Sequence, residues 1–197
     1  MLFDSINHLT GIPMKGNREK LENNARNAVQ VSGLKSLSFR TMAEEIGIKS
    51  SSVHYHFPDK SDLARALIER YSEEFFRALR DISNKRWKLR RKIKEFIAIF
   101  EAVAEQKKFC LCGMMAAEVE QLDQRNRDLL AQYFIDTEKW IIQLLNEHQD
   151  ELNTEISSAV LARSLLSGLE GALLLDRLLD DKQRLKAQKE LFMSFIS

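Results

Sequence analysis

Apolar positions recur at helical spacing almost from one end of this 197-residue chain to the other. Leu21, Ala25, Ala28 and Val29 fall at i, i+4, i+7 and i+8. They follow Asn17 as an N-cap and precede Gly33, whose tolerance of left-handed backbone suits a helix end. Ser38 is placed to cap a short second helix with Met42, Ala43 and Ile46 on one face, ended by Gly47. A third short helix, capped by Ser50 or Ser51, holds Val53 and Phe57 four apart. Pro58 closes it, because a residue before proline is pushed out of the helical region. Asp59 then opens a long fourth helix with Asp62 in its first turn and a seam of Leu63, Leu67, Tyr71, Phe75 and Leu79.

Beyond residue 83 the pattern coarsens. A basic run from Lys85 to Lys92 leads into Ile93, Phe96, Ile97, Phe100 and Val103 in helical register, and an apolar stretch follows from Phe109 to Val119. A long helix from about Arg125 carries Leu129, Leu130, Tyr133, Phe134, Trp140, Ile141, Leu144 and Leu145. After a polar break at Glu147 to Thr154 come an apolar helix over Ala159 to Leu179 and a last one from about Asp181 to Ile196. The fold class expected is all-α: an arm over 1–16, a small helical head over 17–63, and a larger helical body over 64–197. Met14 is an alternative start of translation.

Composition agrees with helices and removes several classes. Only 7 glycines and 2 prolines occur, too few for a loop-rich all-β fold, and 44% hydrophobic with 30% charged residues is globular rather than disordered. Thirty basic against 29 acidic residues leave a net charge of +1, which excludes a basic coat protein but permits a local basic face. No apolar run is read as reaching the ~18–20 residues of a membrane span, and Met1 to Lys15 lacks the order of a secretory signal. A cytoplasmic location is expected.

The two short helices around Gly47, with the first helix beneath, form the pattern of a helix-turn-helix. Packing Met42, Ala43 and Ile46 on Val53 and Phe57 turns Lys49, Ser50, Ser51, Ser52, Tyr55 and His56 outward, with His54 beside them. All can hydrogen-bond and none is acidic, as entry into a phosphate-walled groove requires. Read from the residues alone, an αα-hairpin of purely structural role stays open beside DNA binding.

The run Leu37-Ser38-Phe39-Arg40-Thr41-Met42-Ala43-Glu44-Glu45-Ile46-Gly47-Ile48, continued by Ser52-Val53-His54-Tyr55-His56-Phe57-Pro58-Asp59-Lys60-Ser61-Asp62-Leu63, resembles the N-terminal domain of TetR-family transcriptional regulators over roughly Arg18 to Tyr71. The resemblance implies phosphate contacts from Arg40 and Thr41 at a helix N-terminus, mixed base and phosphate contacts from Lys49, Ser50, Ser51, Ser52 and Tyr55, and a backbone clamp at Lys60. His54 stands where the family usually has a phosphate-contacting tyrosine, so that contact is expected to depend on pH.

His54 and His56 point about 200° apart on a helix, so they share no metal ion, and Cys110 and Cys112 fall in the other part of the chain. Neither a metal site, nor a catalytic Cys–His pair, nor a cofactor is expected. Phe109 to Glu118 resembles the segment opening the sixth helix in one branch of the family, some of whose members sense oxidants or electrophiles through cysteine. Cys110 and Cys112 are therefore candidate redox sensors, with Lys107 and Lys108 placed to lower a thiol pKa; a small buried hydrophobe is the plainer reading.

In the body, Phe96, Phe100, Met114, Met115, Tyr133, Phe134 and Trp140 are candidates to line an apolar ligand pocket, with Glu118 as polar anchor; ordinary core is the alternative. The small residues around Gly168-Leu169-Glu170-Gly171-Ala172 resemble the element through which the family forms a four-helix bundle across a two-fold axis. Ala162, Leu165, Gly168, Leu169 and Ala172 are the expected dimer contacts. Together these features imply a homodimeric, ligand-responsive DNA-binding regulator, in most of the family a repressor released by a small molecule or an oxidant. A helical protein-interaction module is the alternative, and no phosphate-cradling loop or nucleophile elbow supports an enzyme.

Overall fold

The computed structural model describes residues 16–197. The arm, apart from Gly16, and the alternative start at Met14 lie outside the described residues. Among those residues the chain forms nine α-helices and no strand, with one isolated antiparallel bridge between Leu152 and Ile196.

Helix α1 is Gly16–Ser32, α2 Phe39–Ile46, α3 Ser50–His56 and α4 Lys60–Ser83. Asn17 lies inside the first turn of α1 instead of capping it. Ser38 does cap α2, accepting from the Thr41 N–H, and Gly47 at φ 71° supplies the left-handed residue that ends it. The cap of α3 is Lys49, with no side-chain hydrogen bond, so Ser50 and Ser51 are helical residues with hydroxyls free of capping duty. Asp59 caps α4, accepting from the Asp62 N–H at 2.9 Å. Leu21, Ala25, Val29, Met42, Ala43, Val53, Phe57, Leu63 and Leu67 are all buried and close the head's core. A helical turn missed in the sequence, Leu34–Ser36 in the 3-10 form, joins α1 to α2.

The body consists of α5 (Leu89–Glu105), α6 (Leu111–Ala117), α7 (Gln124–Glu147), α8 (Ser158–Leu179) and α9 (Gln183–Met193). The last helix begins two residues later than expected because Asp180, at φ 51°, ends α8 in the left-handed conformation. The boundary expected at residue 63 falls inside α4, which runs unbroken from the head into the body with Tyr71, Phe75, Leu79 and Ile82 in the common core.

Two readings of α8 change. It is 22 residues long and apolar enough that by length and composition it could cross a membrane, contrary to the expectation from the sequence. Here it packs on α9, α7 and α5, and it carries the buried Asp176. Its expected dimer contacts also face inward: Ala162, Leu165 and Leu169 are fully buried, Ala172 nearly so, and Gly168 is covered by Gln188. The outward stripe is Val160, Ser164, Ser167, Gly171, Leu174 and Leu178, spaced alternately by four and three. Val160 is 51% exposed, Leu174 57% and Leu178 77%. Small residues and leucines alternate on both faces of this helix, so spacing alone did not say which face was free.

Candidate nucleic-acid interface and bundle interior

The head presents α3 as an exposed convex edge. Val53 is its fully buried anchor, while Tyr55 is 84% exposed and Ser50, Ser51 and His54 are also exposed. Ser52 is half-buried, with its N–H donating to the Lys49 carbonyl at 2.9 Å. Arg40 and Thr41 stand exposed in the first turn of α2, where unpaired N–H groups favour anions. Arg40 has a single loose neighbour, Glu44 at 3.9 Å, on an exposed surface where such a pair is worth little. Lys60 is exposed at the first residue of α4. All nine residues expected to contact DNA thus lie on α2, α3, the residue before α3, or the start of α4.

His54 is held more firmly than an exposed residue usually is. Its ring packs edge-on to Phe39 at 5.1 Å, and Nδ1 lies 3.2 Å from the Pro58 carbonyl oxygen. A carbonyl only accepts, so the bonded ring carries its hydrogen on Nδ1, and a neutral His54 then offers Nε2 as an acceptor. Only the imidazolium can donate from Nε2 to a phosphate.

The head is tied to the body at several places. The Ser61 hydroxyl donates to Asp123, the residue that caps α7, and Asn126 Nδ2 donates to the Ser61 carbonyl and hydroxyl oxygens at 2.9 Å each. Arg70 of α4 pairs with Glu22 of α1 at 3.1 Å, and Arg26 of α1 with Glu74 of α4 at 2.5 Å. Gln30 and Phe109 exchange bonds, Nε2 to the Phe109 carbonyl at 3.1 Å and the Phe109 N–H to the Gln30 carbonyl at 3.0 Å.

Glu118 belongs to this seam and not to the bundle interior, which corrects its reading as a ligand anchor. Its carboxylate accepts from the Leu34 and Lys35 N–H groups, capping the turn between α1 and α2. Gly33, at φ 84°, makes room for it; a Cβ there would run into that carboxylate.

The aromatic residues expected around a pocket lie in two adjoining clusters. Phe96 stands 5.5 Å from Phe100 and 5.4 Å from Trp140, ring centre to ring centre; Tyr133 lies 5.1 Å from both Phe134 and Phe75. Met115 is fully buried and Met114 partly so. These rings touch in the tilted and edge-on arrangements of aromatic core.

Cys110 caps α6, its sulfur accepting from the Gly113 N–H at 3.4 Å and lying 3.7 Å from the Tyr71 hydroxyl. Burial, and after it the charge of Glu170, pushes the Cys110 thiol well above its ordinary pKa. Burial and then Cys110 do the same to Cys112. The expected lysine assistance is absent: exposed Lys107 lies 3.7 Å from Asp180, and Lys108 has its own pKa lowered by burial and Arg26. Both cysteines are buried thiols in this conformation.

Glu170 was missed as a site residue, having been read only as part of a dimer element. Both of its carboxylate oxygens are shut off from solvent, with no N–H or oxygen donor and only the Cys110 thiol beside them. The available signal was a single acid inside the small and apolar stretch from Ala159 to Leu175, broken otherwise only by Arg163.

Residues 23–67 match the family model described as bacterial regulatory proteins, tetR family, and residues 88–192 match that for the tetracyclin repressor-like C-terminal domain. An HTH-type transcriptional regulator of Staphylococcus aureus is 31% identical over 70 residues, 36% of this chain and 38% of the relative's length. A TetR transcriptional regulator from Legionella pneumophila has a solved structure with TM-score 0.84 and 28% identity, covering 94% of this chain and 100% of that one. The reduced form of E. coli NemR shares the fold at TM-score 0.78 and 18% identity, covering 92% of this chain and 98% of NemR.

Proposed function

The chain belongs to the TetR family of bacterial regulatory proteins, and from that membership we propose that it is a homodimeric regulator whose hold on a palindromic DNA site is governed by a small molecule bound in its helical body. Residues 17–63 act as the DNA-binding head and the remainder as the effector and dimer domain. The observation that carries this reading is α3, anchored by buried Val53 and offering only hydrogen-bonding, non-acidic side chains to solvent. In a dimer two such helices, about 34–36 Å apart, enter successive major grooves.

Within that interface Ser52 and Tyr55 read base edges, while Arg40, Thr41, His54 and Lys60 hold phosphates; Lys49, Ser50 and Ser51 contribute to both. The second copy docks on the outward stripe of α8 around Leu174 and Leu178, with exposed Leu191 of α9 at its side. An effector acts by preferring a body shape whose head spacing no longer fits the DNA. The ties at Ser61, Gln30 and Glu118 carry that shape to the head. A small-molecule effector suits this conformation better than an oxidant, because a sensor thiol must be exposed and partly ionised, and Cys110 and Cys112 are neither. A cytoplasmic location follows from this role.

Selection of bound sequences from a random DNA pool tests the reading. Enrichment of an inverted repeat, with half-sites about one helical turn apart, is the expected result. No enrichment above a scrambled pool would overturn it.

A further inference from the structure

Two acids of α8 carry their carboxylates out of reach of solvent, and they are treated in opposite ways. Asp176 is satisfied: it accepts from the Arg184 N–H at 3.0 Å, from the Leu185 N–H at 2.9 Å and from the Arg184 guanidinium at 3.3 Å. Glu170, six residues earlier, has no N–H or oxygen donor and only the weak Cys110 thiol beside it. The chain also makes space for it. A Cβ at Gly113 of α6 would collide with Glu170 Oε2, so the missing side chain at 113 is what admits the carboxylate.

The surroundings are aromatic and soft. Tyr71 and Tyr133 stand 6.0 Å apart, Phe75 packs 5.1 Å from Tyr133, and the Cys110 sulfur lies beside the Tyr71 hydroxyl. Arg26, whose guanidinium lies over the Tyr71 ring at 5.0 Å, is already committed to Glu74 at 2.5 Å.

We propose that Glu170 anchors an organic ammonium ion, a ligand with one positive charge on an apolar frame, held by the carboxylate among the aromatic side chains that surround it. A buried carboxylate without a partner is unfavourable, and a neutral apolar ligand would leave it so. An anion would be repelled. A hard metal cation needs several oxygen ligands, whereas the neighbours here are rings and thiols. This inference rests on the ligand-responsive reading above and names the class of effector.

The same burial sets how binding responds to pH. It pushes the Glu170 carboxyl up to about 7, with the Cys110 thiol beside it drawing it slightly back. Below that value the empty site holds a proton that a cation must displace. The other groups facing it keep their charge state near neutrality: Tyr71 from α4, Tyr133 from α7, and Cys110 and Cys112 from α6 and its cap are all pushed well above their ordinary values by burial. Arg26 from α1 is a guanidinium and stays cationic.

Benzyltrimethylammonium and its uncharged carbon analogue neopentylbenzene are the probes, titrated into the full chain by calorimetry between about pH 6 and about pH 8. The expected result is a preference of at least about tenfold for the cation, with affinity rising about tenfold in all between pH 6 and pH 8, about fivefold of it below pH 7. Glu170→Gln, which keeps the shape, should abolish both the preference and the pH dependence. Gly113→Ala, which keeps the charge but displaces the carboxylate, should weaken the cation more than the neutral probe. Equal binding of the two probes, no binding of the cation, or an unchanged Glu170→Gln variant overturns the proposal. DNA binding of the unliganded protein, followed by fluorescence anisotropy, separates the outcomes. Failure there sinks the regulator reading, while intact DNA binding without cation preference sinks only this inference.

Discussion

Leu178→Ala is the sharpest test of the assembly proposed here. The side chain is 77% exposed in the single chain, so its removal leaves the protomer's core untouched. In a two-fold pair the same residue is buried twice, once from each copy. Leucine to alanine deletes three carbons, at ~0.8 kcal/mol each when fully buried. Scaled by that 77% exposure, each copy loses roughly 2 kcal/mol and the interface roughly 4 kcal/mol. At about 1.4 kcal/mol per decade, the dimer dissociation constant should rise by between two and three powers of ten. Sedimentation equilibrium over a concentration series measures it directly, with circular dichroism and the melting temperature of the monomer as controls for folding. A dimer constant unchanged within about threefold, in a protein that still dimerises, would show that α8 presents some other face to its partner.

Three further outcomes are expected. Lys60→Ala should weaken binding to every DNA sequence alike and reduce the salt slope by about 1, whereas Tyr55→Ala should redistribute preference among half-sites; fluorescence anisotropy across salt concentrations and site variants reads both. His54→Ala should weaken binding to every half-site alike at constant pH, because it removes the ring that Phe39 and the Pro58 carbonyl hold at the exposed face of α3; the same anisotropy titrations read it. Glu170, raised by burial from 4.5 to about 7, binds its proton more tightly folded than unfolded, so its contribution to stability is full below pH 4.5 and lost as pH rises to about 7. The loss is of order 3 kcal/mol, so Glu170→Gln should melt at a nearly constant temperature over that window and exceed wild type above it.

Helices and their ends were readable because their signals are local. Ser38, Gly47 and Asp59 act on backbone within three or four residues of themselves, and the seam from Leu63 to Leu79 repeats regularly enough to fix one buried face. The outward residues of α3 were legible for the same reason: with Val53 and Phe57 buried, helical geometry leaves Tyr55 outside. Long-range choices were not legible. Glu118 looked like an interior acid until its partners, some 84 residues away in sequence, were seen to be the N–H groups after Gly33. The lysines before Cys110 looked activating, but the thiol's depth and the Glu170 charge decide its state. The free face of α8 depended on where α7 and α9 pack, which periodicity does not encode.

Helix α4 has a mechanical consequence. Its 24 residues make a rod about 36 Å long, rooted in the body at Phe75 and Leu79 and ending at Lys60. A tilt of about 7° at the root, about 25 Å from Lys60, sweeps the far tip through about 3 Å, comparable to one base-pair step along a duplex. The tether from Asn126 to Ser61 sits near that moving tip, where a small force has its greatest leverage. Under the proposed function, a lever of this kind would let a shift of a few tenths of an ångström among packed rings decide whether two fingers fall into register with the turns of a double helix.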